Sequence, residues 1–169
     1  MTKIVFGKYS YYEGETKDGR PHGDGVIKLK DGKTKDGISL FCKFEDGHPI
    51  GEGTYINGIG NKIIGEFDIK LNLKNKFGKL IYKNGSIYEG GFEGRIQHGE
   101  GKETWKNGTK VKGIYDMGIF VEGAIIFTNG IITEGTFKNY KLHGEGKMTL
   151  ENGKIIKGTW NEGDIVETK

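Results

Sequence analysis

The side chains best suited to chemistry in this sequence are four histidines and one cysteine. His22, His98 and His143 share one position in a repeated sequence phrase, and His48 lies outside it. In an array of paired strands, His98 and His143 would stand about four strands apart, which at about 4.8 Å per strand is roughly 19 Å. Ligands of one metal ion must lie within about 4 Å of one another, because metal–nitrogen bonds are about 2 Å long. The spacing therefore predicts no metal site.

Candidate catalytic groups are equally isolated along the chain. Cys42 stands where other copies of the phrase have glycine, and no histidine recurs beside it, so we interpret it as a small buried side chain. The Gly99-Glu100-Gly101 segment has the Gly-x-Gly pattern of a phosphate-binding loop, but it is not followed by the pair of lysine and serine or threonine that a P-loop requires. Paired carboxylates such as Glu13 and Glu15 are typical of exposed strands. We therefore expect no enzymatic activity and no cofactor.

The composition is typical of a folded β protein. The 169 residues include 31 glycines and two prolines, and the glycines recur at fixed positions accompanied by aromatic residues. A net charge of +3, from 26 Lys and Arg against 23 Asp and Glu, gives no strong field for nucleic acid. No apolar run has the length of a signal peptide or a membrane span, and one cysteine excludes an intramolecular disulfide. We therefore expect a soluble chain in the cytoplasm.

One phrase restarts about every 23 residues, and this period predicts a repeat fold. Each copy has a marker position, usually glycine, and most copies place an aromatic residue two positions later. Without a Cβ, the marker glycine would let an aromatic ring from a neighbouring strand lie across the backbone. The markers are Gly14, Cys42, Gly65, Gly90, Gly113, Gly135 and Gly158, and they are followed by Thr16, Phe44, Phe67, Phe92, Tyr115, Phe137 and Trp160.

Turn signals separate runs of β-branched and aromatic residues, and they predict hairpins with two-residue type I′ turns. Counting outward from Asn129-Gly130 places Phe127 opposite Ile132. One copy departs from this pattern, because its Asn57-Gly58 pair comes before Gly60, which occupies the position of the turn glycine in the other copies. The register of this hairpin therefore stays open. The other turn pairs are Asp31-Gly32, Asn84-Gly85, Asn107-Gly108 and Asn152-Gly153.

The phrases Tyr88-Glu89-Gly90 and His98-Gly99-Glu100-Gly101 resemble the MORN repeat. Similar phrases cover residues 12–163, with six full copies and a half copy, between an N-terminal capping strand at 1–11 and a C-terminal tail at 164–169. The resemblance implies an all-β fold, an elongated single-layer antiparallel meander of consecutive β-hairpins. It also implies a non-catalytic scaffold or adaptor that binds a protein partner and self-associates, and association with anionic phospholipid has been proposed for the family.

Binding is the function class that remains, and the recurring aromatic residues are its first candidate. We expect most of them to pack between hairpins and two or three to stay exposed, where they would contact a protein partner. This aromatic row consists of Phe44, Phe67, Tyr88, Phe92, Tyr115, Phe137 and Trp160.

Three alternatives stay open. Lysines around two turns would meet an anionic phospholipid membrane, at about 1 kcal/mol per lysine near its surface, and would place the chain at the periphery of a membrane or a cytoskeletal structure. Unpaired backbone on a terminal edge strand would let a second copy extend the sheet as a homodimer. A small intracellular inhibitor of antitoxin type is the third alternative. The lysines are Lys28, Lys30, Lys33, Lys35, Lys102, Lys106, Lys110 and Lys112.

Overall fold

The computed structural model describes residues 1–29 and 37–169, and every regular element in these ranges is a β-strand. These residues include no helix that is long and apolar enough to cross a membrane. The predicted Asp31-Gly32 turn lies outside the described residues. The chain divides into an N-terminal unit, Met1–Lys83, and a C-terminal unit, Asn84–Lys169.

The N-terminal unit is an antiparallel meander in which each strand pairs with the next along the chain. Strand β1 lies in the predicted capping segment 1–11. The strands are β1 Thr2–Gly7, β2 Ser10–Lys17, β3 Arg20–Leu29, β4 Ile38–Glu45, β5 His48–Ile56, β6 Lys62–Glu66 and β7 Phe77–Ile81.

The C-terminal unit repeats this architecture, and the two units together confirm the prediction of an all-β antiparallel meander of consecutive hairpins. Strand β15 lies in the predicted tail 164–169, and the domain boundaries themselves stay a prediction. The strands are β8 Ile87–Glu93, β9 Ile96–Thr104, β10 Lys110–Asp116, β11 Ile119–Ile126, β12 Ile132–Lys138, β13 Lys141–Thr149, β14 Ile155–Asn161 and β15 Asp164–Thr168.

The register around the Asn-Gly loops differs from the predicted one by one residue. Ile126, not Phe127, is the partner of Ile132. The Phe127 N–H donates to the Ile131 carbonyl at 2.9 Å, so residues 128–130 form a three-residue loop. The predicted two-residue turn is therefore wrong at this hairpin.

The asparagine side chain explains the longer loop. A type I′ turn needs positive φ at both central residues, but only Gly130 has one, at 87°. Asn129 instead accepts the Ile131 N–H on its Oδ1 atom at 3.2 Å, which is the bond that asparagine often makes in turns. Gly60, with φ of 90°, has the same place in its loop and donates its N–H to the Asn57 carbonyl at 2.9 Å. Ile56 pairs with Lys62, and the Asn57 N–H donates to the Asn61 carbonyl at 3.0 Å, which settles the register that the sequence left open.

Gly130→Ala tests the left-handed backbone of this loop without a steric clash. No atom lies within 4 Å of the position that a Cβ would take, but the φ of 87° is one that side-chain-bearing residues rarely adopt. We expect the free energy of unfolding to fall by about 1 kcal/mol in urea denaturation. Thr128→Ala in the same loop is the control and should change it by less than about 0.5 kcal/mol. Equal stability of Gly130→Ala and wild type would contradict this account.

Type I′ turns occur at the opposite ends of the strands. Met117 and Gly118 have φ values of 45° and 86°, and the flanking Asp116 and Ile119 are paired. Sequence reasoning missed this turn because Met-Gly is not among the usual hairpin signals. The same two-residue geometry is found at Asp18-Gly19, Asp46-Gly47 and Glu162-Gly163.

Alternation along the strands gives each unit one packed face and one open face. On the packed face, large side chains are buried against those of the next hairpin, and on the open face charged and aliphatic side chains are exposed. Bulges in the strands coil the sheet, which brings neighbouring hairpins together on the packed side. The packed faces contain Tyr12, Leu40, Phe44, Tyr55, Ile63 and Phe67 in the N-terminal unit, and Tyr88, Phe92, Val111, Tyr115, Phe120, Ile125 and Phe137 in the C-terminal unit.

A tyrosine ring covers the glycines of two repeats, Tyr12 in the N-terminal unit and Tyr88 in the C-terminal unit. In the C-terminal unit, a Cβ on Gly101 would stand 2.6 Å from the Cζ atom of Tyr88, and a Cβ on Gly90 would stand 2.6 Å from its hydroxyl oxygen. The Tyr88 hydroxyl donates to the Gly91 carbonyl at 2.8 Å. At the marker Gly90 the ring comes from the same strand and not, as predicted, from a neighbouring strand. The glycine covered from a neighbouring strand is Gly101, which is not a marker.

Candidate functional site

The aromatic row lies in the packed faces of the two units. Its members are between 0% and 7% exposed, so the expectation that two or three would stay in solvent is wrong. Tyr88 contacts Phe92 and Tyr115 edge to face, with ring centroids 5.4 and 4.9 Å apart. Partner binding by this row stays a prediction, and in the isolated chain its rings fill the space between hairpins. The buried members are Phe44, Phe67, Tyr88, Phe92, Tyr115, Phe137 and Trp160.

Glu103 is a buried carboxylate that sequence reasoning missed. It is 6% exposed, and the hydroxyls of Tyr115 and Tyr140 each donate to its Oε2 atom at 3.1 Å. Burial raises the pKa of Glu103, and the bonds from these hydroxyls and from Trp105 partly oppose that rise. The alternation of side chains along a strand could have indicated its burial. Glu103 directly follows the exposed Lys102 along β9, so its side chain points to the packed face. Its phenol and indole neighbours tie it into the core and supply no nucleophile.

The candidate nucleophile and the histidines do not form a reactive group. Burial raises the pKa of the Cys42 thiol to about 11, so at neutral pH it stays protonated, which is its less nucleophilic form. The Nδ1 atom of His98 accepts the Met117 N–H at 3.4 Å. Among the described residues, no group of three His, Cys, Asp or Glu side chains is arranged to hold a metal ion.

The open face of the N-terminal unit has a cleft of about 660 Å³ beside Phe41. The backbones of Gly14 and Gly25 are part of its lining, together with charged side chains. Among these, Lys28 donates to Glu13 at 2.7 Å, and this bond raises the pKa of Lys28 and lowers that of Glu13. Lys28, one of the predicted lipid-binding residues, is therefore already engaged in an ion pair.

The predicted lysines of the C-terminal unit are all exposed. Lys102 and Lys112 are direct cross-strand partners on the open face, an arrangement that costs free energy because the charges are alike. Glu89 is the cross-strand partner of Lys102 on its other side and offsets part of this cost. Lys106 and Lys110 lie in and just after the adjoining loop. The predicted Lys30, Lys33 and Lys35 lie outside the described residues.

Large aliphatic side chains are also exposed on the open face of the C-terminal unit and at the adjoining turn. Sequence reasoning did not single them out, because isolated isoleucines in strands usually belong to a core. Their exposure depends on the register, which points them away from the aromatic rings. They are Ile96, Ile114, Met117, Ile119, Ile126 and Ile155.

Part of this chain is similar in sequence to known proteins. Alsin from Mus musculus and Alsin from Homo sapiens are each 34% identical to the chain over 100 residues, which is 56% of this chain and 6% of Alsin. The chain thus spans a small fraction of the length of these relatives. The structure of the TCP10 domain of Danio rerio CPAP in complex with a peptide of Danio rerio STIL aligns with this chain at 11% identity and a TM-score of 0.37. The alignment covers 99% of this chain and 92% of the chain in that structure. The E1021V mutant of that domain aligns with 100% of this chain and 99% of its own, at 12% identity and a TM-score of 0.31. Neither score reaches the level that marks a shared fold.

The family comparison agrees with the repeat phrases. The MORN repeat model matches residues 12–34, 88–110 and 134–155. The first two matches begin at Tyr12 and Tyr88, whose rings cover the glycines of their repeats. These three segments of the chain are MORN repeats.

Proposed function

We propose that this chain is a non-catalytic scaffold that binds a protein partner through the open face of the C-terminal unit. The observation that carries this proposal is the group of large aliphatic side chains exposed on that face and its edge, opposite a packed face filled by aromatic rings. Exposed apolar groups clustered within a polar surround are typical of protein interaction sites. The buried aromatic row then supports binding indirectly, by holding the strands in the register that presents these side chains.

The state of the reactive groups supports a role without catalysis. The Cys42 thiol lines the cleft of the N-terminal unit, but its raised pKa keeps it in its less nucleophilic form at neutral pH. The Glu103 carboxylate is 6% exposed and accepts hydrogen bonds from two tyrosine hydroxyls. Catalysis by acid, base or nucleophile needs a reactive group that a reactant can approach, and neither group combines the two.

Binding to anionic phospholipid is a second candidate, and one observation favours it. Lys102 and Lys112 stand directly opposite each other on the open face, and a phosphate group between them would relieve their repulsion. Homodimerisation through a terminal edge strand, inhibition of antitoxin type and a cytoplasmic location stay predictions.

Affinity capture with paired surface variants tests the proposed function. The full chain is compared with Ile96→Ser plus Ile119→Ser and with Ile126→Ser plus Ile155→Ser in extracts of the cells that produce it. Surface changes of this kind should alter the free energy of unfolding by less than about 0.5 kcal/mol each. We expect at least one pair to weaken a stoichiometric partner about tenfold, as measured with the purified complex. Full retention of every partner by both pairs would contradict binding through the open face.

Lipid vesicles separate the second candidate from the first. Binding to phosphatidylserine vesicles that falls with salt and is lost in Lys102→Gln plus Lys112→Gln would favour the lipid role. Equal binding by that variant and the wild type would remove the observation on which the lipid role rests.

A further inference from the structure

One part of the open face of the C-terminal unit combines exposed aliphatic side chains with carboxylates. We call it the acidic apolar patch, and its apolar members are Ile96, Ile114, Met117 and Ile119. Their exposed fractions are 45%, 38%, 50% and 60%, respectively. Side chains of this size leave water only when a further surface covers them, and that gain is the main source of affinity at protein interfaces.

Backbone hydrogen bonding brings these residues together from three strands. The Gly118 N–H donates to the Gln97 carbonyl at 2.8 Å, which ties the turn between β10 and β11 to the start of β9. A Cβ on Gly118 would stand 3.4 Å from the Cγ2 atom of Ile96. Ile96 therefore lies against the turn that contains Met117 and leads into Ile119.

Carboxylates surround the patch through the strand register. Every isoleucine in it has an acidic residue as its direct cross-strand partner, so a negative charge stands beside each apolar side chain. The pairs are Ile96 with Glu93, Ile119 with Asp116, and Ile114 with both Glu100 and Glu122. The pair Lys102 and Lys112 adjoins this rim, two positions from Glu100 and Ile114 in the same ladder.

Basic groups also adjoin this rim. His98 places its Nδ1 atom 3.4 Å from the Asp116 carboxylate, and Arg95 lies in the exposed turn between β8 and β9. Lys102 and Lys112 lie on the same face, two residues along their strands from Glu100 and Ile114. Four carboxylates therefore stand against one arginine and two lysines, which leaves an excess of one negative charge. An occupant with positive charge at its own rim would complement it.

We infer that the acidic apolar patch docks a basic amphipathic segment of a partner protein. Its aliphatic side chains would cover Ile96 and Ile119, and its lysines or arginines would meet the surrounding carboxylates. The inference rests on the proposed function and gives the chemistry of the partner. An anionic membrane would be repelled by the same carboxylates.

A synthetic helical peptide with a leucine stripe and a lysine face tests this chemistry. Its matched control has glutamate in place of every lysine, so that it offers the same apolar area with the opposite charge. Titration of the full chain is followed by calorimetry and by NMR amide shifts at physiological salt. We expect the lysine peptide to bind at least about tenfold more tightly than the glutamate peptide and to shift the amides of 96–97 and 114–119.

Two double variants locate the binding site on the open face. Ile96→Ser plus Ile119→Ser should weaken the lysine peptide about tenfold, whereas Ile126→Ser plus Ile155→Ser should leave its affinity unchanged. Both variants remove the same type of side chain from exposed strand positions, so a general effect on the sheet would affect them alike. Circular dichroism confirms that each variant is folded.

Several results would overturn the inference. They are absence of binding, equal binding of both peptides, equal loss in both double variants, or shifts confined to other strands. Self-association of the chain that disappears in Ile96→Ser plus Ile119→Ser would instead identify a second copy as the occupant. If the peptide fails but native capture still depends on the open face, the inference fails and the proposed function stands. If the peptide does not bind and native capture does not depend on the open face, both the inference and the proposed function are contradicted.

Discussion

Tyr88→Ala is expected to lower the free energy of unfolding of the C-terminal unit by about 3–5 kcal/mol. The Tyr88 side chain is fully buried, contacts Phe92 and Tyr115, and covers Gly101 of the neighbouring strand. Its removal leaves a cavity between two hairpins and also removes the hydroxyl bond to the Gly91 carbonyl. Both tryptophans of the chain lie in this unit, so their fluorescence in urea reports its unfolding.

A double-mutant cycle with Gly101→Ala tests the proposed contact. In the wild-type background, the added Cβ meets the Tyr88 ring and should cost about 1–3 kcal/mol. In the Tyr88→Ala background the ring is absent, and the cost of Gly101→Ala should fall by at least about 1 kcal/mol. Tyr9→Ala removes an exposed tyrosine and is the matched control, with an expected change below about 0.5 kcal/mol. Equal costs of Gly101→Ala in both backgrounds would rule out the contact between ring and glycine.

The aromatic row shows how far the sequence predicts this fold. The recurrence of Tyr88 and Phe92 beside glycines indicates that such residues pack together, and they do. Its complete burial could not be predicted, because it depends on a bulge between Gly90 and Phe92 that coils the strand. Counting residues assigns side chains to faces but does not give the curvature of the sheet. A candidate binding surface in the sequence is thus part of the core in the structure.

The turns show a second limit. Asn-Gly is the usual signal for a type I′ turn, yet at Asn129-Gly130 the asparagine side chain bonds the backbone and the loop has three residues. Met117-Gly118, which gives no such signal, forms the two-residue turn. The pairing of the flanking strands decides whether a loop has two or three residues, because the repeat determines which residues lie opposite each other. Local propensity therefore predicts that turns exist, but it does not distinguish the three-residue loop at Asn129-Gly130 from the two-residue turn at Asp18-Gly19.

The acidic apolar patch was beyond sequence reasoning for a related reason. Ile96 and Ile119 are separated along the chain and come together through the bond between Gly118 and Gln97. Neither residue differs in type from a core isoleucine. Only the register shows that both point to the open face, and a register error of one residue would reverse that assignment.

Glu103→Leu is the second change with a large expected effect. It leaves the buried hydroxyl of Tyr115 without its acceptor and removes the acceptor of Tyr140 as well, and each stranded donor costs about 1–3 kcal/mol where water cannot replace it. We expect the free energy of unfolding to fall by about 2–3 kcal/mol. Adding Tyr115→Phe and Tyr140→Phe to Glu103→Leu removes the stranded donors and should recover most of this loss. Failure of the triple variant to recover stability would show that lost packing, rather than hydrogen bonding, causes the effect.

The pH dependence of stability distinguishes the charge of Glu103 from its hydrogen bonds. Burial raises the pKa of this carboxyl above its ordinary value of 4.5, so the folded chain holds a proton that the unfolded chain has already released. The stabilisation from that proton is complete below the unfolded pKa and is lost as pH rises through the folded pKa. Glu103→Gln keeps an acceptor and does not titrate, so its free energy of unfolding should rise relative to wild type as pH increases above about 4.5. Urea denaturation of both proteins across this range measures the difference. A difference that moves in favour of wild type with rising pH would mean that the tyrosine and tryptophan donors outweigh burial and hold the carboxylate in its charged form.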